Sequence, residues 1–468
     1  MLILRGRLGH RCTALRGHAI PSRAGKRRRS LNRAALVASF AFLAGATGAL
    51  AQAKSGATWL EGIFSSPGYS NDSRPEQKRQ PEVLDDLRRN AVPLRSDEIL
   101  ESTDRAIGYY QKIVNAGGWP QIPGNRMMRP GDDDERITIL RKRLAAEGYL
   151  SKQNNSYASY TFDSALEAAV QHFQQTHGLR ASGRADKPTL AELNITADAR
   201  LAQLNLNYSR IRELMQLRPE ERYILVNVPA FQLEAVERYE VQLRHRVIVG
   251  RVERQTPAVH ATIKALNFFP YWRVPDSVGT LDLIPKLQKE PDYVIKEKIR
   301  VLNGVNGAEI DPSQIDWFSP EVMKFKFRQD PGPQNALGLV RLDMQNEHGV
   351  YMHDTPMKQL FQQSFRAFSA GCVRVQDVFK LAEWIARYEA GWERPGRVED
   401  VLASGQALDL NLTRPLPVYF TYITAWAEPD GRIEFRPDLY NRDGAQSFAA
   451  SVEREPGEAP PPPPGLAP

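Results

Sequence analysis

The hydrophobic period of this chain changes at Glu221. Before it, apolar residues recur at helical spacing; after it, they alternate. Tyr223 to Val228, Phe231 to Val236, Val241 to Val249 and Val259 to Phe268 read as four strands, with Pro229-Ala230 turning the first into the second. Leu339 to Met344 and Val350 to Asp354 form a hairpin around Glu347-His348-Gly349, and Gln376 to Tyr388 reads as a helix. Val418 to Trp426 and Arg432 to Phe435 make a last hairpin across Glu428-Pro429-Asp430-Gly431. Close strand spacing and β-branched content predict a mainly antiparallel sheet. A chain of 468 residues exceeds one ordinary core. The expected class is multidomain α+β, with the sheet domain over 197–445.

Two segments inside that domain carry chemistry: Tyr351-Met352-His353-Asp354-Thr355-Pro356 and Ser369-Ala370-Gly371-Cys372-Val373-Arg374-Val375. A thiol titrates near ~8.5, so little is thiolate at neutral pH unless its surroundings intervene. An imidazole beside it can take the proton as attack begins. Cys372 therefore reads as a nucleophile and His353 as its general base. Gly371 lets the backbone approach closely, so its amide and that of Cys372 are candidate donors to an oxyanion. Tyr351 stands two residues before His353 and shares its strand face, which makes it a candidate oxyanion or donor-binding group. Arg374 is a candidate partner for a substrate carboxylate, and Ser369 for holding the turn or the thiol.

His353, fifteen residues, then Ser-x-Gly-Cys-x-Arg resembles the signature of the L,D-transpeptidases, the YkuD-domain enzymes of peptidoglycan cross-linking. Most of that family has His between the Ser and the Gly; here the position is Ala370, as in the large periplasmic YcbB-like branch. The resemblance implies acyl transfer in two steps. Cys372 would attack the bond between the diamino acid and the terminal D-Ala of a tetrapeptide stem, with His353 passing the proton to the leaving amine. The amine of a second stem would resolve the thioester as a 3→3 cross-link; water would make the protein a carboxypeptidase. The family orients this His through the next backbone carbonyl, here that of Asp354. Attachment of a protein to the wall, and a wall-binding scaffold with an inert thiol, are the other readings.

Residues 131–196 carry the ordered set Arg-x-x-x-Leu, Gly-Tyr, Phe-Asp, Val-x-x-Phe-Gln, His-Gly-Leu, Thr-Leu-x-x-Leu-Asn. The set resembles the three-helix peptidoglycan-binding domain. His172 and His177 lie within it with no third ligand near in sequence and read as surface residues. Residues 54–130 read as a linker and helical scaffold. Between Trp272 and Pro333 the alternation breaks into Pro-punctuated helical pieces. Loops this long are commonly functional, and the resemblance implies a capping subdomain here; Trp272 is a candidate to stack on substrate at the cleft mouth, with a core position as the equal alternative.

Residues 1–53 hold ten Lys/Arg and no acid, so removing them takes the net charge from +7 to −3. The basic character belongs to a leader and gives no argument for nucleic-acid binding. That leader has a basic stretch ending near Arg33, an apolar run from Ala34 to about Leu50, and small residues at Ala49-Leu50-Ala51 and Ala51-Gln52-Ala53. It reads as a signal peptide directing export to the periplasm, with an inner-membrane signal anchor as the alternative. Of two cysteines, Cys12 lies in the leader, so Cys372 cannot pair within the mature chain. Residues 446–468 read as a Pro-rich disordered tail. No metal cluster or phosphate-binding Gly loop appears, and no cofactor is expected. The expected partners are peptidoglycan stem peptides, glycan strands and other cell-wall synthesis proteins, with the enzyme itself monomeric.

Overall fold

Ser96 starts the first helix by accepting a hydrogen bond from the Ile99 amide, with Asp97 and Glu98 in the first turn where the helix dipole favours acids. The computed structural model describes Leu87 and residues 92–151, 159–217 and 220–444. The leader, the linker before residue 87 and the Pro-rich tail lie outside those residues. Helix α1 (Asp97–Asn115) buries Ile99, Ala106 and Tyr110 along one stripe. That stripe packs on α5 (Ala197–Gln216), which buries Leu204, Ile211 and Leu214.

Between them lies the small module, α2 (Arg136–Ala146), α3 (Ser164–Thr176) and α4 (Lys187–Leu193), around Ile137, Leu140, Leu144, Leu166, Val170, Phe173 and Leu193. Asp163 and Asp186 cap α3 and α4. The module is docked, not tethered. Buried Arg143 lies 3.8 Å over the Trp119 ring, donates to Leu193 O at 2.6 Å and pairs with Glu147, which also accepts from Tyr110. His177 is fully buried, stacked between Phe173 and Phe435, which corrects its reading as a surface residue; His172 is exposed. Apolar packing on both ring faces, plus the bond from its Nδ1 to Phe173 O, accounts for that burial.

The main sheet runs β11-β3-β12-β10-β9-β4-β13-β1-β2. Its strands are β1 (Arg222–Asn227), β2 (Gln232–Glu237), β3 (Glu240–Gly250), β4 (Val259–Phe268), β9 (Val340–Met344), β10 (Met352–His353), β11 (Ala367–Ser369), β12 (Val373–Val375) and β13 (Leu408–Thr421). β2 also pairs with β3, so all but β11 form a closed ring. The sheet is mixed: β1–β13, β10–β12 and β3–β11 are parallel, the remaining pairs antiparallel. α6 (Val378–Ala386) and α7 (Arg397–Ser404) pack their apolar faces into the same core.

Two expectations are corrected. Val418 to Trp426 is not one strand: residues to Thr421 end β13 inside the sheet, and Ala425–Ala427 starts a separate hairpin, β14, with β15 (Ile433–Phe435). Second, the insertion after Trp272 is not only helical. It holds a four-stranded antiparallel sheet, β5-β8-β6-β7, made of β5 (Trp272–Arg273), β6 (Ile299–Leu302), β7 (Glu309–Ile310) and β8 (Lys326–Gln329). With the helical turns from Asp276 to Lys289 it encloses its own core of Leu283, Leu287, Val294, Val301, Trp317 and Phe327. Among the described residues no helix is long and apolar enough to cross a membrane.

Candidate active site

The parallel register of β10 and β12 builds the site. Met352 pairs with Val373 and His353 with Arg374, and the Val373 amide donates to Tyr351 O at 3.0 Å. Strand side chains alternate, so one face takes Met352, Val373 and Val375, all fully buried in the main core. The opposite face takes Tyr351, His353, Cys372 and Arg374. Core formation on one side therefore orders four polar groups on the other.

His353 is 5% exposed. Its Nδ1 lies 2.5 Å from the Asp354 carbonyl, which can only accept, so the proton sits on Nδ1 and Nε2 keeps its lone pair. Burial, then the Arg374 cation, lowers its pKa to about 3 against the pull of the Asp354 carbonyl, so the ring is neutral at physiological pH. The Asp354 carboxylate is used elsewhere: Oδ2 accepts from the Leu339 amide at 3.0 Å and Oδ1 pairs with Lys358. Gly338 makes this possible. Its φ is +62°, and a Cβ there would fall 2.3 Å from the Asp354 carboxylate.

Burial raises the Cys372 thiol above its ordinary value, opposed by hydrogen bonding from the Tyr351 main chain and hydroxyl and by the charges of Arg374 and Arg341. The resting pair is thus thiol and neutral imidazole, not a preformed ion pair. The Tyr351 hydroxyl stands where the Cys372 sulfur and the Trp272 side chain both act on it, and burial raises its pKa well above the ordinary phenol value. Its ring meets that of His353 edge-on at 5.6 Å, with Arg341 5.5 Å from its centre.

The turn before Cys372 is closed by Ser369, whose hydroxyl donates to Cys372 O at 2.5 Å and accepts from Gly371 N at 3.1 Å. Gly371 has φ +116°, which only glycine adopts readily. The expectation of the Gly371 amide as an oxyanion donor is corrected here, because Ser369 already takes that hydrogen. Among the described residues none accepts from the Cys372 amide.

Two more expected roles change. Trp272 is 7% exposed and packs in the core of the insertion, so it does not stack at a cleft mouth; it reaches the site through Tyr351. Arg374 is 4% exposed, with Nη1 3.8 Å from Met357 Sδ, and burial lowers its pKa to about 10. It lies beneath the dyad, not on a substrate-facing surface. Sequence reasoning missed Arg341, Lys358 and Gly338. The hairpin register that sets Arg341 opposite His353 held the signal for the first.

Comparison with known proteins bears on this geometry. Residues 221–400 match the "L,D-transpeptidase catalytic domain" family and residues 133–193 the "Putative peptidoglycan binding domain" family. A Haemophilus influenzae protein described as "Putative L,D-transpeptidase" is 34% identical over 257 residues, 55% of this chain and 50% of that protein. The chain thus spans half the length of that relative. An L,D-transpeptidase structure from Mycobacterium smegmatis is 13% identical, covering 43% of this chain and 58% of that one, at TM-score 0.22. One from Stackebrandtia nassauensis is 13% identical over 64% and 96%, at TM-score 0.23.

Proposed function

We propose that the chain is an exported transpeptidase forming 3→3 cross-links in peptidoglycan, a reading supported by the match of residues 221–400 to the L,D-transpeptidase catalytic domain family and of residues 133–193 to the peptidoglycan binding domain family. The observation that carries this reading is the β10–β12 register, which sets Tyr351, His353 and Cys372 on one face. In the proposed reaction Nε2 of His353 takes the thiol proton as Cys372 Sγ attacks the carbonyl joining the diamino acid to the terminal D-Ala. The open amide of Cys372 and the hydroxyl of Tyr351 stabilise the oxyanion. His353 returns the proton to the leaving D-Ala, and a thioester remains on Cys372. An acceptor amine attacks it, giving up its proton through His353, and the amide cross-link releases the thiol. Asp354 acts through its main-chain carbonyl. Ser369 and Gly371 shape the turn, and Arg374 supplies positive charge beneath the dyad.

The module over 133–193 is proposed to hold glycan strands or stem peptides, and the leader to route the protein to the periplasm. The insertion covers the site and favours amine over water as acceptor.

Purified wild type and Cys372→Ala are compared on a disaccharide-tetrapeptide by liquid chromatography and mass spectrometry. A cross-linked dimer lacking one D-Ala, made by the wild type alone, is expected. Tripeptide monomer alone would make the protein a carboxypeptidase. Product made equally by both would remove Cys372 from the chemistry.

A further inference from the structure

Asp282 lies on the π-helical turn Gly279–Leu283 of the insertion and is almost buried. Its carboxylate grips two arginines of the loop between β3 and β4: Oδ1 accepts from Arg251 Nη2 at 3.2 Å, and Oδ2 pairs with Arg254 Nη1. That loop is bonded at two points to the turn that leads into the thiol. The Arg251 amide donates to Ser369 O at 3.0 Å. The Thr256 hydroxyl donates to Gly371 O at 2.8 Å and accepts from Gly250 N at 2.8 Å. From behind, the Tyr440 hydroxyl donates to Gly250 O and accepts from Thr256 N, and Arg442 donates to Gln255 Oε1 at 2.6 Å.

The loop is thus anchored to the C-terminal segment and to residues 369–371, while its two side chains reach forward to one carboxylate of the insertion. Tyr351 and Ala370 make a second tie between insertion and site, both packing against the insertion's core. Ser369 is therefore two bonds from Asp282, through Arg251, and Gly371 is held by Thr256 of the same loop.

We propose that Asp282 is a positioning residue that clamps the insertion over the Cys372 turn and thereby sets the access of water to the thioester. The consequence for acceptor choice rests on the transpeptidase reading; the clamp does not. Partly buried charges that lose their partner are costly, so removing the Asp282 charge takes the ion pair from Arg254 and loosens the insertion from the loop. Water then competes better with the acceptor amine.

The test uses purified full-length wild type, Asp282→Asn, Asp282→Glu and Arg254→Ala, each first shown folded by near-ultraviolet circular dichroism. Iodoacetamide alkylation of Cys372, followed by mass analysis of the peptide that carries it so that Cys12 is read apart, reports access without assuming any activity. Asp282→Asn and Arg254→Ala are expected to alkylate several-fold faster than wild type, with Asp282→Glu restored toward it. On a disaccharide-tetrapeptide the same two variants are expected to shift product from dimer to tripeptide at little change in total turnover. Alkylation at the wild-type rate in both variants overturns the clamp. A wild type that makes no product, with alkylation still accelerated in the variants, counts against the transpeptidase reading and leaves the clamp standing. An unchanged dimer-to-tripeptide ratio with accelerated alkylation overturns the link from clamp to acceptor choice.

Discussion

His353 leans on the main chain of Asp354 and not on its side chain: Nδ1 lies 2.5 Å from the Asp354 carbonyl, while the carboxylate accepts from Leu339 and pairs with Lys358. A Ser-His-Asp triad uses the carboxylate to stabilise imidazolium. Here a neutral carbonyl fixes the tautomer, and the cations Arg374, Lys358 and Arg341 disfavour the imidazolium. The arrangement suits a base that is neutral at rest and charged only in passing.

One prediction concerns pH. With His353 at about 3 and the thiol above its ordinary value, the reactive neutral pair is present across the weakly acidic to neutral range. Turnover of the disaccharide-tetrapeptide, followed by liquid chromatography and mass spectrometry between about pH 5 and pH 7, is expected to stay level, because the base loses its lone pair only as pH falls toward its own pKa. A half-loss centred on the ordinary imidazole value would show that His353 titrates normally.

Tyr351 and Trp272 should act in series. Tyr351→Phe removes the hydroxyl on which the sulfur acts, and loss of one oxyanion donor lowers kcat by about 10²-fold. Trp272→Phe keeps the apolar bulk and removes only the indole N–H that acts on Tyr351, so a smaller fall is expected. The double variant should be no slower than Tyr351→Phe alone. Additive losses in steady-state kinetics would mean that Trp272 acts by another route.

Gly338→Ala tests the backbone beneath the base. The substitution combines a left-handed φ with a Cβ inside the Asp354 carboxylate. Strain and overpacking of this kind cost about 1–3 kcal/mol each. Thermal unfolding is expected to drop, with a fall in kcat as His353 loses its seat. Wild-type stability in that variant would show that residues 338 and 354 do not meet.

Acid should weaken the fold through its buried histidines. Burial first, in each case, holds His177 well below its ordinary value, His245 at about 4 and His353 at about 3. The unfolded chain binds protons at these residues near pH ~6.5 and the folded chain does not, so stability is full above that value and falls as pH drops toward the folded pKa values. Glu297, pushed up to about 7 by burial in the insertion, runs the other way over part of the window. The Tm is expected to fall between about pH 6.5 and pH 5, and His245→Asn should flatten that slope. A slope unchanged by the substitution would remove His245 from the account.

Legibility in the sequence followed how local each signal was. β1 to β4 stand where alternation places them, because each buries one face or both against a single core. The part of β13 before Val418 is hidden by Pro415 and Pro417, which sit beside the register shift between Asn411 and Leu416. The strands of the insertion are two to four residues long, too short for a period to show. At the site, spacing alone singled out Tyr351, His353 and Cys372. It had no access to the fate of the Gly371 hydrogen, which depends on where the Ser369 hydroxyl turns, nor to the burial of Trp272, which depends on a core formed by residues up to 85 positions away.

Ala370 is the smallest of these details with the widest reach. Its methyl group packs against the core of the insertion, alongside Tyr351 and Leu360. A larger side chain at 370 would stand where the insertion now rests and would hold it away from the thiol. The size of the residue before Gly371 and the seating of the insertion are therefore coupled: bulk added at 370 would be felt first by the insertion's core.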